Sequence, residues 1–428
     1  MKRLPARPLD RRSMLKISVG GTAALMIAPK GAFAQGASIK ASWYGGQDTH
    51  DRMQEALALY SERTGTNIEV EFAPFGDFYD RLPVQYAGGG AADVHRHSMT
   101  FLYEYTNRGL LADLGPYVGD TINTDDLYPG VVEIGTRNGV TNAIGNNQIA
   151  IATFYDMAKL EEVGMTDRLD GMTWDDYLEI AVALGDAGGE GKYGTNDAGD
   201  FLGFFEMWLK QRGTELYPEA GGVGFSGEEA AEWFAYWERM RSEGGAPPPA
   251  ITAESGGFQN APFVRDIAGM QIGWCQQLVF YQALMEPELG ITTGPIAEGL
   301  DNNGHYIRAL DFWVVPAQSD NPEEAAKLIN FLLNDEEAIA ILGLTLGGPA
   351  SEKASAILQD TAEGASAKVL TYLEGLRENA DPDTPIWKGG QGELESVLDR
   401  LNQSVGFGQI TAEEAGEQLA SEGQRIID

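Results

Sequence analysis

Three consecutive residues able to do chemistry stand at positions 95–97, where His95, Arg96 and His97 occur within the stretch VHRHS. The protein has four histidines in all and a formal net charge of −34, so a cationic triplet is unusual in this chain. An imidazole can bind a metal ion or act as a general base, and a guanidinium can hold an anion. The triplet therefore allows a metal site, a catalytic base or a clamp for an anionic ligand.

Each of these chemistries requires partners. On a strand, His95 and His97 would point to one face and Arg96 to the other. Zinc would need a third ligand, such as His50 or His305. A catalytic histidine would need a nucleophile and an orienting acid, which no motif in the sequence supplies. Two further interpretations stay open, namely polar residues that end an edge strand and hydrogen-bond donors that face a cleft.

The composition predicts a globular protein without nucleic-acid or membrane-surface partners. The chain has 428 residues, of which 43% are hydrophobic and 22% charged, enough for two or three domains or one large two-lobed unit. Its acidic excess opposes the binding of nucleic acid phosphates and of anionic membranes. The single cysteine, Cys275, rules out an internal disulfide and a cysteine-based zinc cluster.

Residues 1–34 are predicted to be an export signal. The stretch RRSMLK at 11–16 carries twin arginines, and the apolar run ISVGGTAALMIA follows it. The small residues of AFA at 32–34 suit signal peptidase, with cleavage before Gln35. The apolar run is too short to span a bilayer comfortably. We therefore expect export by the twin-arginine (Tat) pathway and a soluble periplasmic protein.

Strand and helix patterns alternate through the first hundred or so residues. ASIKASWYGG, TNIEVEFAPF and the segment that enters HRHS predict strands, with amphipathic helices between them. This order implies a parallel sheet with helices on both faces. QIAIATFYD, DIAGMQIGWC and ALDFWVVPA predict further strands, and no flexible linker separates them. The fold class is therefore α/β.

Aromatic residues at the ends of predicted strands are the second group that could do chemistry. Ligands of open α/β sheets bind beyond the carboxyl ends of the strands, where a flat ring can stack on a sugar while carboxylates and amides bind its hydroxyls. Packing in a core explains each ring equally well. The residues concerned are Trp43, Tyr44, Trp274, Phe312, Trp313 and Trp387.

Two other motifs are better explained by structure than by ligands. GVGFSG at 222–227 fits the dinucleotide-binding pattern, but no predicted strand precedes it. Ser226 there is expected to cap a helix. The aromatic run at 233–237 has helical spacing, which predicts core packing.

The order of motifs resembles that of the extracellular solute-binding proteins of ABC importers, in the sugar-binding family that includes maltose-binding protein. The matching stretches run almost from end to end of the chain beyond the export signal. They are LALYSERTGTNIEVEF, AGGGAADV, NRGLLADL, TWDDYLEIAVAL, WLKQRGTELYPEAGGVGFSGEEA, GMQIGWCQQ, SDNPEEAAKLINFLLNDEEA and ITAEEAGEQL.

This resemblance implies a two-lobed periplasmic-binding-protein fold with a ligand cleft between the lobes and a hinge of several crossing segments. We expect residues 35–148 and 299–335 in the N-terminal lobe and residues 149–298 and 336–428 in the C-terminal lobe. The resemblance also places Glu206 and Trp208 in a loop near the ligand. The expected ligand-binding residues are Trp43, Gln47, Asp48, His50, Arg96, His97, Glu206, Trp208, Trp274, Trp313 and Trp387.

The implied function is non-catalytic capture of a mono- or oligosaccharide or glycoside. The lobes would close on the ligand, and the closed monomer would deliver it to a membrane permease without cofactor or metal. A second interpretation gives the ligand an anionic group (uronate, sulfonate or phosphate) held by Arg96 and the nearby histidines. A more distant one is a secreted zinc-dependent hydrolase using His50, His95 and His97, or a metal-binding protein of the same two-lobed design.

Overall fold

The computed structural model describes residues 37–299 and 304–427, so the predicted export signal lies outside the described residues. The strands are β1 (Ser38–Tyr44), β2 (Asn67–Ala73), β3 (Val94–Ser98), β4 (Thr136–Arg137), β5 (Val140–Thr141), β6 (Ile144–Gly145), β7 (Ile151–Asp156), β8 (Met270–Trp274), β9 (Leu289–Thr293) and β10 (Asp311–Val314). The helices are α1 (Gln47–Thr64), α2 (Phe75–Gly88), α3 (Met99–Asn107), α4 (Met157–Glu162), α5 (Trp174–Gly188), α6 (Leu202–Lys210), α7 (Gly227–Ser242), α8 (Pro249–Thr252), α9 (Gln277–Leu284), α10 (Pro322–Asn334), α11 (Glu336–Leu342), α12 (Glu352–Gln359), α13 (Gly364–Arg377), α14 (Gln391–Gly406) and α15 (Ala412–Ile426).

The first sheet has five strands in the order β2-β1-β3-β10-β6. β1 runs parallel to both β2 and β3, as the β-α-β-α pattern predicts, whereas β10 is antiparallel to β3 and β6. β3, which carries VHRHS, therefore lies in the middle of the sheet. The interpretation of this stretch as the end of an edge strand is wrong.

A second sheet is formed by three antiparallel strands in the order β8-β7-β9. β7 and β8 correspond to the predicted strands QIAIATFYD and DIAGMQIGWC. β4 and β5 form a separate two-stranded hairpin. The chain enters the second sheet after β6 and returns to the first sheet at β10, so these two connections cross between the sheets. The predicted lobe boundaries stay a prediction.

The aromatic run at 233–237 packs in the core beside the second sheet. Trp233 and Trp237 of α7 are fully buried and contact Phe204 of α6. Ser226 caps α7 with a capping box, since its hydroxyl accepts from the backbone N–H of Glu229 and that carboxylate accepts from the backbone N–H of Ser226. Core packing and capping are thus confirmed for these two motifs. Among the described residues, every helix is too short or too polar to cross a membrane.

Helices α7 and α15 approach each other closely at Gly416. A Cβ atom at this position would lie 2.3 Å from the carbonyl oxygen of Gly227 and 2.6 Å from the backbone nitrogen of Ala231. We therefore expect Gly416→Ala to lower the free energy of unfolding by about 1–3 kcal/mol through overpacking. Urea denaturation followed by circular dichroism measures this change.

Gly375→Ala is the matched control for Gly416→Ala. Gly375 is exposed within α13, and a Cβ there would meet no atom within 4 Å. Because alanine restricts the unfolded chain and favours a helix, this variant should gain about 0.4–1 kcal/mol. Equal effects of the two substitutions would contradict the close helix contact.

Candidate ligand-binding cleft

A cavity of about 970 Å³ lies where the carboxyl ends of β1, β3 and β8 meet the start of β10. Ligands of α/β proteins bind at this position relative to the strands. Its volume suits a drug-sized or disaccharide-sized molecule. One wall comes from the segments of the first sheet and includes Tyr44, Gly45, Arg96, Ser98 and Asp311. The facing wall includes Phe201, Trp274, Gln276, Gln277, Trp387 and Glu395.

Arg96 lines the cavity, but its charge is already paired. Its Nη2 donates to Asp311 Oδ2 at 2.7 Å and to the carbonyl oxygen of Leu346 at 2.9 Å. Its Nη1 donates to the carbonyl oxygen of Tyr44 at 3.3 Å. Both side chains of the ion pair are buried, with 7% and 9% of their surface exposed. The guanidinium therefore serves mainly to hold the cavity wall together.

The carboxylate of Asp311 receives two further donors. Asn147 Nδ2 donates to Asp311 Oδ2 at 2.9 Å, and the hydroxyl of Tyr44 donates to Oδ1. Asn147 also bonds the carbonyl oxygen of Leu346 at 2.7 Å and accepts from the backbone N–H of Leu310 at 3.0 Å. This network joins β1, β3, β10 and the segment at 346 into one rigid wall.

His95 and His97 lie on the opposite side of β3 from Arg96, as strand alternation predicts. His95 contacts the Tyr86 hydroxyl through Nε2 at 2.7 Å, and the ring of His97 packs 4.7 Å from that of Tyr105. Burial lowers the pKa of His95 to about 4, and burial together with His95 lowers the pKa of His97 well below its usual value. Both rings are therefore neutral and sealed in a core, where the structure separates them from the cavity.

His50 belongs to the other face of the first sheet. Ser42 pairs with His95, so the next residue, Trp43, points away from His95. Trp43 is fully buried, and its Nε1 donates to His50 Nδ1 at 3.2 Å. The structure therefore does not bring His50, His95 and His97 together. Among the described residues, no group of three histidine, cysteine or acidic side chains is placed to hold a metal ion.

Three more residues expected at the ligand lie away from the cavity. Gln47 and Asp48 are exposed in the first turn of α1, where Asp48 accepts from Arg52 at 3.1 Å. Trp313 of β10 is buried in the core on the same side of the sheet as Trp43. The structure thus assigns these side chains to the surface or to packing.

Glu206 and Trp208 lie in helix α6, so their expected position in a loop is wrong. Glu206 Oε2 accepts from Arg308 Nη1 at 2.8 Å and from the Tyr306 hydroxyl. Glu206 Oε1 accepts from Trp387 Nε1 at 3.0 Å, which positions that ring at the cavity wall. Trp208 instead packs inside the helical core and does not reach the cavity.

Trp274 is the last residue of β8. Of the two expected tryptophans that line the cavity, Trp274 and Trp387, it is the more exposed. It is half-buried, and its ring meets Phe201 edge-on with a centroid distance of 5.1 Å. Gly203 lies directly behind the ring, because a Cβ there would be 3.0 Å from Cη2 of Trp274. The ring is therefore supported by protein and also lines the cavity.

Several cavity residues were not among the expected ligand-binding residues. Tyr44 was one of the aromatic residues at the ends of predicted strands, but only its neighbour Trp43 was expected to bind the ligand. Asp311 could have been found as the acidic residue that precedes the aromatic pair in LDFW at the start of a strand. Phe201, Asp200 and Glu395 carry no comparable signal, because they lie at helix starts or on helices far apart in the sequence.

Two α/β halves that face each other across a cavity at their strand ends define a two-lobed solute-binding protein. The sequence model of the bacterial extracellular solute-binding proteins matches residues 46–339. The chain therefore belongs to this family, whose members are binding proteins.

Relatives and solved structures agree with this assignment. The erythritol/L-threitol-binding protein of Mycolicibacterium smegmatis is 24% identical over 225 residues, and this alignment covers 45% of each chain. This chain thus spans less than half of the length of that relative. A periplasmic solute-binding protein of Pectobacterium atrosepticum has a TM-score of 0.81 at 21% identity, covering 91% of this chain and 98% of that one. The periplasmic oligogalacturonide-binding protein of Yersinia enterocolitica, solved with saturated digalacturonic acid, has a TM-score of 0.80 at 22% identity and the same coverage. These two likenesses establish the two-lobed fold.

Removing Arg96 should destabilise the protein strongly. Arg96→Ala leaves Asp311 buried without its cationic partner, which we expect to lower the free energy of unfolding by about 3–5 kcal/mol. Arg52→Ala is the control, because its pair with Asp48 is exposed and should contribute about 0–1 kcal/mol. Urea titrations of both variants measure the difference. A loss of similar size in both would show that the buried pair has no special role.

The buried histidines should make stability depend on pH. Because the folded-state pKa of His95 is lowered to about 4, the unfolded chain binds its proton first as the pH falls below about 6.5. As the pH falls from about 6.5 to about 4, this histidine therefore lowers the free energy of unfolding by up to about 1.4 kcal/mol per pH unit. Above about pH 6.5 it causes no such loss.

We expect His95→Gln to show a weaker loss of stability on acidification than the unsubstituted protein. Urea unfolding measured at several pH values between about 4.5 and 7.5 gives the difference between the two proteins. The carboxylates, His50 and His305 are the same in both proteins, so their contributions cancel, and the difference reports His95 together with its effect on the pKa of His97. A difference that stays constant with pH would show that His95 is protonated equally in the folded and unfolded states.

Proposed function

We propose that the protein is the periplasmic substrate-binding component of an ABC importer, which captures a carbohydrate and delivers it to transmembrane permease subunits. The observation that carries this proposal is the composition of the cavity wall. The rings of Tyr44, Phe201 and Trp274 line the same cavity as the amides of Gln276 and Gln277. Aromatic faces pack on the C–H surface of a sugar ring, while amides and carboxylates bind its hydroxyls.

The names of the relatives support a polyhydroxylated ligand. The relative from Mycolicibacterium smegmatis is named for the polyols erythritol and L-threitol. The structural neighbour from Yersinia enterocolitica is named for an oligosaccharide of galacturonic acid. In keeping with these binding proteins, we propose that the chain is not an enzyme and acts as a monomer after export by the Tat pathway.

We propose that capture works by closure of the two lobes about the crossing segments. Gln148 pairs with Gly348 and Ile149 pairs with Arg308, so three segments run side by side between the two sheets. These segments fall close to the proposed lobe boundaries near residues 148 and 298. A ligand that contacts both walls favours the closed form by its difference in affinity for the two forms. The permease would then recognise the closed form.

The charge of the wall disfavours the anionic alternative. Among the described residues that line the cavity, Arg96 is the only lysine or arginine, and Asp311 already neutralises it. An acidic ligand would also face the carboxylates of Asp200, Glu395 and Asp399. The zinc-hydrolase alternative lacks support as well, since its three histidines are divided between two faces of one sheet.

Trp274→Ala tests the stacking role directly. Loss of the ring should weaken binding of the best carbohydrate ligand roughly tenfold or more, since aromatic contacts contribute about 0.5–1.5 kcal/mol beyond buried area and 1.4 kcal/mol is tenfold. Isothermal titration calorimetry measures the affinity, after a thermal-shift screen of mono- and oligosaccharides has identified the ligand.

Phe407→Ala is the control for this experiment. Phe407 is 53% exposed and does not line the cavity, so its removal should leave the affinity unchanged. Equal affinity of Trp274→Ala and the unsubstituted protein would refute the stacking role. The absence of binding by any carbohydrate in the screen would refute the proposed ligand class.

A further inference from the structure

A second cavity of about 570 Å³ adjoins the ligand cavity. The two share Asp200, Gly257, Phe258, Gln277 and Asp399, so they are adjacent and the same side chains border both. We call the second cavity the acidic annex, because the described residues of its wall include three aspartates and no lysine or arginine. Its polar lining includes Asn196, Asp197, Asp200, Gln271, Asp399 and Gln403.

The carboxylates around the annex are only partly neutralised. Asp197 is paired with Arg241 at 2.7 Å, and both side chains are buried. Asp200, Glu395 and Asp399 have no lysine, arginine or histidine within ion-pair distance in the part of the chain that the structure describes. Asp399 accepts a hydrogen bond from the side-chain amide of Gln403, whose Nε2 lies 2.7 Å from Asp399 Oδ1. The two adjacent cavities are therefore bordered by carboxylates that have no cationic partner among the described residues.

Two of these carboxylates, Asp200 and Glu395, have raised pKa values, as expected for acids without a cationic partner. Burial and the nearby Asp197 and Asp399 raise the pKa of Asp200 to about 7. Burial and the charge of Glu206 raise the pKa of Glu395 to about 7. A cation bound next to these carboxylates would lower their pKa values again, because an opposite charge favours the ionised form of a carboxylate.

Two glutamine side chains add hydrogen-bond acceptors that lack donors. Gln271 is 8% exposed and lines the annex, and its Oε1 has no hydrogen-bond partner among the described residues. Gln276 lines the main cavity, and its Oε1 is likewise without a partner in the described chain. Buried acceptors left unpaired are costly, so the natural occupant should bring N–H or O–H donors to them.

We infer that the ligand is a polyhydroxylated compound with a primary ammonium group, such as an amino sugar, whose ammonium group binds in the acidic annex beside Asp200 and Asp399. This inference rests on the proposed carbohydrate-binding function. The unpaired acceptors favour a primary ammonium group over a quaternary one, which has no N–H to donate. A metal ion is a poor occupant, because no three suitable side chains in the described residues converge on one point.

The test compares matched disaccharides of different charge. Cellobiose, its counterpart with an ammonium group at C2 of each ring, and cellobiuronic acid are each titrated into the protein at low ionic strength. The trimethylammonium form of the amino disaccharide and the polyamine spermidine complete the set. We expect the primary-amine sugar to bind roughly tenfold or more tightly than cellobiose, because hydrogen bonds to a charged group are about twice as strong as neutral ones. The acidic and trimethylammonium sugars should bind more weakly than the primary-amine sugar.

Variants locate the ammonium group. Asp200→Asn should reduce the preference for the amino sugar over cellobiose, measured as the ratio of their two affinities, severalfold. Glu393→Gln is the control, because this exposed residue of α14 carries the same charge and does not line either cavity. The control should retain the full preference for the amino sugar.

The outcomes separate this inference from the proposed function. Equal or tighter binding of the neutral or acidic sugar overturns the inference and leaves carbohydrate binding intact. Binding of spermidine without any sugar overturns the carbohydrate proposal and the polyhydroxylated part of the inference. No binding by any member overturns the inference, and the thermal-shift screen of mono- and oligosaccharides then decides the carbohydrate proposal separately. A preference for the amino sugar that survives Asp200→Asn overturns the assignment of its ammonium group to the annex.

Discussion

The ion pair between Arg96 and Asp311 is the interaction on which the cavity wall depends. Two charges this deeply buried are tolerated only with good geometry and further hydrogen bonds, which Tyr44, Asn147 and the carbonyl oxygen of Leu346 provide. Together with the two charged residues, these partners come from five separate parts of the chain. The ion pair therefore fixes the end of β1, β3, the segment at 147, the start of β10 and the segment at 346 relative to one another.

The facing wall has an ion pair with the same role. Glu206 and Arg308 are almost entirely buried, and Glu206 also holds the indole N–H of Trp387. An internally neutral ion pair thus supports each wall and orders the side chains next to it. The remaining carboxylates, Asp200, Glu395 and Asp399, stand outside both pairs. For this reason the charge that a ligand meets comes from these carboxylates and not from Arg96.

The sequence was sufficient to predict the α/β class, the parallel strands β1–β3, the cap at Ser226 and the packing of the aromatic run, because these follow from local periodicity and capping chemistry. It also predicted that His95 and His97 share a face. It could not show which side chains at the strand ends reach the cavity, because the cavity lies beyond the ends of the strands and not over one face of the sheet. Arg96 lines it from the face that carries Trp43, whereas Tyr44 lines it from the face that carries His95. Asp200 and Glu395 come together only through tertiary packing.

The burial of the tryptophans has a spectroscopic consequence. All eight lie in the described residues, and Trp274 is the one that is not buried. Seven indoles should emit at short wavelengths and resist a soluble quencher such as acrylamide, while Trp274 should emit at the red edge and be quenched. The fold thus contains a natural fluorophore at the ligand cavity, and the red edge of its emission would report occupancy without any added label.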